Sequence, residues 1–141
     1  LIVYIKFMEY YRYLDQLDFT KAQQCLNELE SVAGRLPRIY RSIYNLEQFF
    51  SSIIDENGRS KAEKYITKET KAAMKAFKND ISIKRIEYTY YFRYMKDTAE
   101  AERCLQSAYA LAKRYPVPAE AESNMLLIEY VSKQPKFNCE V

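Results

Sequence analysis

Two pairs of neighbouring carboxylates are the residues of this sequence that could act in acid–base catalysis. Asp55 precedes Glu56, and Glu120 lies two residues before Glu122. The first pair lies in a predicted turn, and the second in the first turn of a predicted helix, where acidic side chains stabilise the helix dipole. The sequence has no histidine, which excludes Ser/His and Cys/His nucleophiles, His-containing zinc sites and the HExxH motif. We therefore predict no catalytic residue, no metal ligand and no cofactor.

Arginine and tyrosine recur together on three of the predicted helices, a combination that suits the recognition of a peptide. Arginine can hold a carboxylate through two parallel hydrogen bonds, and tyrosine provides contact area at a small entropic cost. The predicted partner is therefore a protein or peptide segment. The candidate residues of a partner-binding groove are Arg12, Tyr13, Arg41, Tyr44, Arg93 and Tyr94. The alternative is that these tyrosines are packed between helices.

The elements that would position these residues are seven helices, because apolar residues recur at spacings of three and four. With only 2 Gly and 4 Pro, the chain has too few turn formers for a fold of many short strands. The fold class is therefore all-α. The predicted helices cover 2–16, 18–32, 38–53, 60–77, 81–96, 98–115 and 118–133, and 134–141 is predicted to be a flexible tail.

Helix starts and buried faces can be assigned to particular residues. Asp18 is the expected N-cap of the second helix, and Asp97 or Thr98 that of the sixth. Ser60 and Glu63 have the spacing of a capping box at the start of the fourth helix. The residues of the seventh helix expected to face inward are Met125, Leu126, Ile128 and Val131.

A small residue recurs near the start of the second, fourth and sixth helices. Ala22, Ala62 and Ala101 are separated by 40 and 39 positions, and a near-constant period of this length is typical of stacked helical repeats. Cys25 and Cys104 occupy equivalent places in the first and third repeats, where buried, reduced thiols are expected. We predict one domain, 1–133, of three helix-turn-helix repeats and a capping helix.

Composition restricts the partners and the location of the chain. The 141 residues carry a formal net charge of +3, and no run of basic residues supplies the concentrated positive face that nucleic-acid binding needs. The apolar start is too short to span a bilayer. We therefore predict no nucleic-acid binding, no membrane insertion by this segment and a cytoplasmic location. A chain that starts at Leu1 within a helix is expected to be part of a longer bacterial protein.

The start of the second helix in the first and third repeats resembles the tetratricopeptide repeat. Asp18 to Ala22 followed by Leu26 matches the pattern in which an alanine allows close helix approach, and Asp97 to Leu105 matches it equally. The resemblance implies a right-handed superhelix whose concave surface binds peptides. Three features depart from the family: the period is about 40 instead of 34, the Trp-Leu-Gly signature is missing, and the second repeat is degenerate. The first helices of these two repeats align Tyr11 to Leu14 with Phe92 to Met95, 81 positions apart.

A second resemblance is to the C-terminal repeat domain attached to some bacterial site-2-type membrane metalloproteases. It depends on Tyr115-Pro116, the segment Glu120 to Ser123 and the segment Leu127 to Tyr130. It implies a membrane-anchored parent with its metal-binding helix upstream. The preferred hypothesis is a non-catalytic module that binds proteins or peptides. The alternatives are a cytoplasmic accessory domain of a membrane zinc metalloprotease, and a ligand sensor with a tyrosine-rich groove.

Overall fold

A computed structural model describes residues 2–55 and 58–134 of the chain. All regular secondary structure within these ranges is helical, which confirms the all-α fold class. The helices in chain order are α1 (Ile2–Asp15), α2 (Phe19–Asn27), α3 (Glu30–Ala33), α4 (Arg38–Ile53), α5 (Arg59–Glu63), α6 (Lys68–Ala76), α7 (Ile81–Thr89), a π-helical segment (Tyr90–Tyr94), α8 (Thr98–Lys113) and α9 (Pro118–Lys133). The predicted tail lies outside the described residues, except for Gln134.

The chain divides into two compact units, Leu1–Thr70 (unit 1) and Lys71–Val141 (unit 2). In unit 1, α1 packs on α2, α2 on α4 and α4 on α5. In unit 2, α7 packs on both α8 and α9, and α8 packs on α9 and on the π-helical segment. Each unit thus contains a helical hairpin with a third long helix packed against it. The superhelix of three repeats stays a prediction.

The second predicted helix is interrupted in the structure. It consists of α2 and the short α3, with Glu28 and Leu29 between them. The backbone N–H of Leu29 donates to the carbonyl of Leu26, three residues back, at 3.0 Å. This tighter turn interrupts the α-helical hydrogen bonds, in which each backbone N–H donates to the carbonyl four residues back. The spacing of apolar residues in the sequence does not reveal such an interruption.

The fourth predicted helix is also divided, and its predicted start is wrong. Gly58, not Ser60, is the N-cap of α5, so the expected capping box does not begin the helix. The second part, α6, follows Thr67, whose hydroxyl accepts from the N–H of Thr70 at 3.2 Å, while the Thr70 hydroxyl accepts from the N–H of Thr67 at 2.8 Å. This reciprocal pair satisfies two backbone donors at the start of α6.

The three repeated alanines are buried, as predicted. Ala22 and Ala62 are 0% exposed and Ala101 is 2% exposed. The caps before two of them are also confirmed, because Asp18 accepts from the N–H of Lys21 and Asp97 from that of Glu100, each at 3.1 Å. The repeated segment is therefore a packing and capping element.

Replacing Ala101 with Leu should lower the free energy of unfolding by about 1–3 kcal/mol, because the larger side chain has no space at a buried helix contact. The matched control is Ala99→Leu on the exposed face of the same helix, which should change it by less than about 0.5 kcal/mol. Urea denaturation followed by circular dichroism measures both. Equal effects of the two substitutions would contradict the role of Ala101 as a close-packing position.

The hairpin α1–α2 of unit 1 recurs as α7–α8 in unit 2, with the first helices in register at a spacing of 78 positions. The ion pair between Lys6 and Glu9, at 3.6 Å, recurs between Lys84 and Glu87, at 3.4 Å. In both first helices, the next residue is a buried tyrosine, Tyr10 or Tyr88. This register replaces the 81-position alignment suggested by the sequence.

Beyond the π-helical segment, the spacing between equivalent residues becomes 79. Leu17 and Lys96 have the left-handed backbone angles φ 58° and φ 54°, and each precedes the aspartate that caps the next helix. The buried thiols Cys25 and Cys104 are also 79 positions apart. A π-helical turn holds one more residue than an α-helical turn. We infer that the segment Tyr90–Tyr94 accommodates a one-residue insertion in the second copy of the hairpin.

Candidate functional site

Arg12 and Tyr13 are the two predicted groove residues that α1 carries. Arg12 is exposed, and Tyr13 is half-buried. The guanidinium of Arg12 and the ammonium of Lys21 each lie 5.7 Å from the centre of the Tyr13 ring. Each cation is attracted to the negative face of the aromatic ring. Arg12 is thus exposed, and contact of this pair with a partner stays a prediction.

Arg41 on α4 is already engaged within unit 1. Its Nε and second terminal nitrogen lie 3.2 and 3.4 Å from the two carboxylate oxygens of Glu69, and its first terminal nitrogen donates to the carbonyl of Leu36 at 3.3 Å. The hydrogen bond from Arg41 lowers the pKa of Glu69. A partner carboxylate would therefore compete with Glu69 for this guanidinium.

The expected exposure of Tyr44 is wrong, because its side chain is only 4% exposed. Its hydroxyl accepts a hydrogen bond from Gln48 Nε2 at 3.0 Å, and the Gln48 carbonyl oxygen accepts from Gln23 Nε2 at 2.8 Å. Burial raises the pKa of Tyr44. Tyr44 thus belongs to a buried polar network between α2 and α4, which corresponds to the packing alternative considered above.

Arg93 and Tyr94 lie in the π-helical segment, and the expected exposure of Arg93 is also wrong. Arg93 is 4% exposed, whereas Tyr94 is half-buried and stacks on Tyr90 with ring centres 5.7 Å apart. The wider π-helical turn changes the direction of side chains relative to an α-helix, so α-helical spacing placed Arg93 on the wrong face. That the six residues line one common groove stays a prediction.

A different surface of unit 2 contains an apolar groove. An apolar groove of about 260 Å³ lies between α8 and α9, and Leu105, Tyr109 and Ile128 are among the residues that line it. Tyr109 is 49% exposed, and Leu126, also in the lining, is 57% exposed. Large apolar side chains that stay this accessible beside a concave surface mark an interaction site more specifically than scattered exposed residues do.

The charged residues of this α8–α9 groove are acidic. Glu122 and Glu129 both lie in its lining and both are exposed. Glu129 accepts from the ammonium of Lys133 at 2.7 Å, and this hydrogen bond lowers the pKa of Glu129. Within the described ranges, Glu122 has no ion-pair partner. The groove thus combines an apolar floor with an exposed carboxylate at its edge.

The sequence-based interpretation of the seventh helix missed this surface because it placed Leu126 in the core. Ile128 and Val131 are buried as predicted, at 2% and 0% exposure, but Leu126 is not. Residues 125–128 are four consecutive apolar residues. Since successive residues of an α-helix point about 100° apart, four in a row cannot share one buried face. That run was the available signal for a second apolar face.

The two buried cysteines do not form a reactive site. Burial raises the pKa of Cys25, and the nearby Glu9 carboxylate adds to the effect. Burial, together with the charge of Glu87, raises the pKa of Cys104 to about 12. The Cys104 thiol lies 3.4 Å from a carboxylate oxygen of Glu87. Since the thiolate is the nucleophile, both side chains act as packing groups.

Alkaline pH should destabilise unit 2 in a manner that depends on Cys104 and Tyr88. Burial raises the pKa of both groups to about 12, from ordinary values of 9.0 and 10.0. A raised pKa means that the unfolded chain loses these protons first, so the stabilisation is complete below about pH 9 and is lost as the pH rises to about 12. Denaturation between pH 8 and pH 11 measures the decline, and Cys104→Ala with Tyr88→Phe should flatten it. An unchanged slope in the double variant would contradict this assignment.

Within residues 2–55 and 58–134, no helix is both long and apolar enough to cross a membrane. In the same part of the chain, no three cysteine or carboxylate side chains are grouped as a metal site would require. Comparisons with protein-family models, curated proteins and solved structures find no match.

Proposed function

We propose that this chain is a non-catalytic helical module that binds a protein or peptide segment in the α8–α9 groove of unit 2. The observation that carries the proposal is the exposure of Tyr109 and Leu126, 49% and 57%, beside an apolar concave floor. Burying such side chains against a partner is favourable by about 25 cal/mol per Å² of apolar area. Tyrosine is also enriched among the residues that contribute most of the binding energy at protein interfaces.

The size of the groove favours a protein partner over a small-molecule ligand. Its volume of about 260 Å³ is below the range of about 300–1,000 Å³ that pockets for drug-sized ligands occupy. A few side chains of a partner fit a space of this size. The ligand-sensor alternative, which used a tyrosine-rich groove, is therefore less well supported, because Tyr44 is buried in a network of its own.

Membership of a larger bacterial protein and a cytoplasmic location stay predictions from the sequence, and the relation to membrane metalloproteases stays a prediction from the resemblance. The proposed groove agrees with any of these settings, since an accessory module acts by binding. It also shifts the predicted binding surface away from Arg41, Tyr44 and Arg93, whose side chains are engaged or buried.

Leu126→Glu should lower the affinity for bound peptides at least about tenfold, because burying a side chain of this kind contributes about 1.5–3 kcal/mol. Peptides selected from a random displayed library on the intact chain provide the ligands. Their dissociation constants for the parent and the variant are then measured by fluorescence anisotropy.

The matched control is Met95→Glu. Met95 is a large apolar residue of the same unit with similar exposure, 51%, but it does not line the groove. It should leave the affinity unchanged within about twofold. Selected peptides that bind both variants as tightly as the parent would place the binding surface elsewhere and contradict the proposal.

A further inference from the structure

The third long helices of the two units, α4 and α9, occupy equivalent positions. Each has 16 residues, follows the second helix of its hairpin and packs on it. Arg38 and Pro118, their first residues, are 80 positions apart. At this spacing the same stripe is buried in both helices. The equivalent buried pairs are Tyr44 and Asn124, Glu47 and Leu127, Gln48 and Ile128, and Ser51 and Val131.

Outside this stripe, each helix has a second face, which is formed on α4 by Ser42, Leu46 and Phe49. This second face differs in exposure between the two helices. On α4, the side chains of Ser42, Leu46 and Phe49 are 4%, 0% and 0% exposed. The equivalent positions of α9, 80 residues later, are the exposed groove residues Glu122, Leu126 and Glu129. The same face of the third helix is thus covered in unit 1 and open in unit 2.

A helix contacts the second face of α4. The Ser42 hydroxyl donates to a carboxylate oxygen of Glu69, in the first turn of α6, at 3.3 Å. The short helix α5 also packs against α4, and its Ala62 is 0% exposed. In unit 1, therefore, a helix lies against part of the face that is open in unit 2.

We propose that the α8–α9 groove binds a helix of a partner protein. This inference rests on the proposed function and specifies the partner's chemistry. The partner helix presents apolar and small residues to Tyr109 and Leu126, the exposed apolar residues of the groove lining. It carries lysine or arginine at the edge facing Glu122, the carboxylate without an ion-pair partner in the described part of the chain.

The groove geometry fits a helix better than an extended peptide. A groove between two packed helices accepts the ridge of side chains that a third helix forms at spacings of three and four. Helix-in-groove recognition uses such apolar anchors, with charges at the rim setting the preferred partner. An extended peptide would gain most from an unpaired strand edge, and the described residues contain no strand.

Three synthetic peptides of about 20 residues test the proposal. Two are amphipathic, with an apolar face of Leu and Ala, and carry either lysine or glutamate on the polar face. The third is the lysine peptide with two central residues replaced by proline. Proline interrupts the helix. We expect the intact chain to bind the lysine peptide at least tenfold more tightly than either of the others in fluorescence anisotropy.

Glu122→Lys should reduce the preference for the lysine peptide over the glutamate peptide to about threefold or less. The control is Glu102→Lys, on the exposed surface of α8 and outside the groove lining. It should retain at least half of the parent's preference, expressed as the logarithm of the ratio of the two peptide affinities. A preference that Glu122→Lys leaves unchanged would overturn the assignment of Glu122.

The remaining outcomes separate this inference from the proposed function. Equal affinity for the proline peptide would overturn the helical partner, whereas Leu126-dependent binding of selected peptides would still support the proposed function. Failure of the lysine peptide to bind would likewise overturn the inference alone. Tighter peptide binding after removal of residues 135–141 would assign the groove to this chain's own C-terminal segment. Concentration-dependent dimerisation lost in Leu126→Glu would assign it to a second copy.

Discussion

Gly58→Ala is expected to lower the free energy of unfolding by about 3 kcal/mol, the upper end of the usual range for overpacking. A Cβ atom built on Gly58 would lie 1.7 Å from the carbonyl oxygen of Ser52 and 2.8 Å from its carbonyl carbon. Both are backbone atoms, so no side-chain rotation can relieve the contact. The residue is N-cap of α5 with φ −90°, which other residues adopt. Glycine is therefore required at position 58 because a Cβ atom has no space there, and not because of its backbone angles.

The second glycine of the chain provides the control. Gly34 follows α3, and a Cβ atom there would meet nothing within 4 Å. Gly34→Ala should leave stability unchanged or raise it by about 0.4–1 kcal/mol, because alanine reduces the freedom of the unfolded chain. For Gly58→Ala, the midpoint of urea denaturation should fall by about 1–2 M at a typical slope. Equal midpoints for the two variants would contradict the close approach of α5 to the end of α4.

Arg85→Leu is expected to destabilise unit 2 by about 1–3 kcal/mol, because it leaves the buried side-chain oxygen of Asn124 without its hydrogen-bond donor. Arg85 is 0% exposed, and its Nε donates to the side-chain oxygen of Asn124 at 2.9 Å. Asn124 in turn donates to the carbonyl of Glu120 at 2.8 Å. The pair joins α7 to α9, so it fixes the helix that forms one wall of the α8–α9 groove.

A double-mutant cycle isolates this interaction from the general loss of packing. Asn124→Leu alone should cost about 1–3 kcal/mol, since it leaves a donor of Arg85 without this acceptor. With both residues replaced by leucine, the cost should be smaller than the sum of the single costs by about 0.5–3 kcal/mol. The exposed Arg103→Ala should change stability by about 0.5 kcal/mol or less. Strict additivity of the two leucine substitutions would show that Arg85 and Asn124 do not act as a pair.

The features that the sequence predicted well are those set by local chemistry. Asp18 and Asp97 cap their helices because a carboxylate at that place satisfies free backbone donors in any surroundings. The buried alanines followed from their near-constant spacing. Pro118 lies at the start of α9, as predicted, because a helix start needs no donor at that position.

The features that the sequence could not supply depend on backbone geometry that changes within an element. The π-helical turn shifts the register by one residue, which turned the expected exposure of Arg93 into burial. The break after Glu63 depends on the Thr67–Thr70 pair, a capping box with threonine in the place usually held by glutamate or glutamine. Tyr44 is buried by long-range packing that no local pattern encodes.

The candidate site could be predicted from the sequence only in part. The four apolar residues 125–128 showed that α9 has more apolar surface than one face can bury. Whether another helix covers the surplus depends on tertiary structure, and unit 1 and unit 2 differ in this respect although their hairpins are copies. The comparison of α4 with α9 thus identifies the open face of α9 for which we propose a partner helix.

Nuclear magnetic resonance of the ¹⁵N-labelled chain, titrated with the lysine peptide, locates the binding surface directly. We expect chemical-shift changes that saturate and that centre on α8 and α9, with the largest at Leu105, Tyr109 and Leu126. Leu126→Glu should abolish these changes while the spectrum stays that of a folded protein. Changes centred on Arg12 and Tyr13 instead, or changes that persist in Leu126→Glu, would contradict binding in the α8–α9 groove.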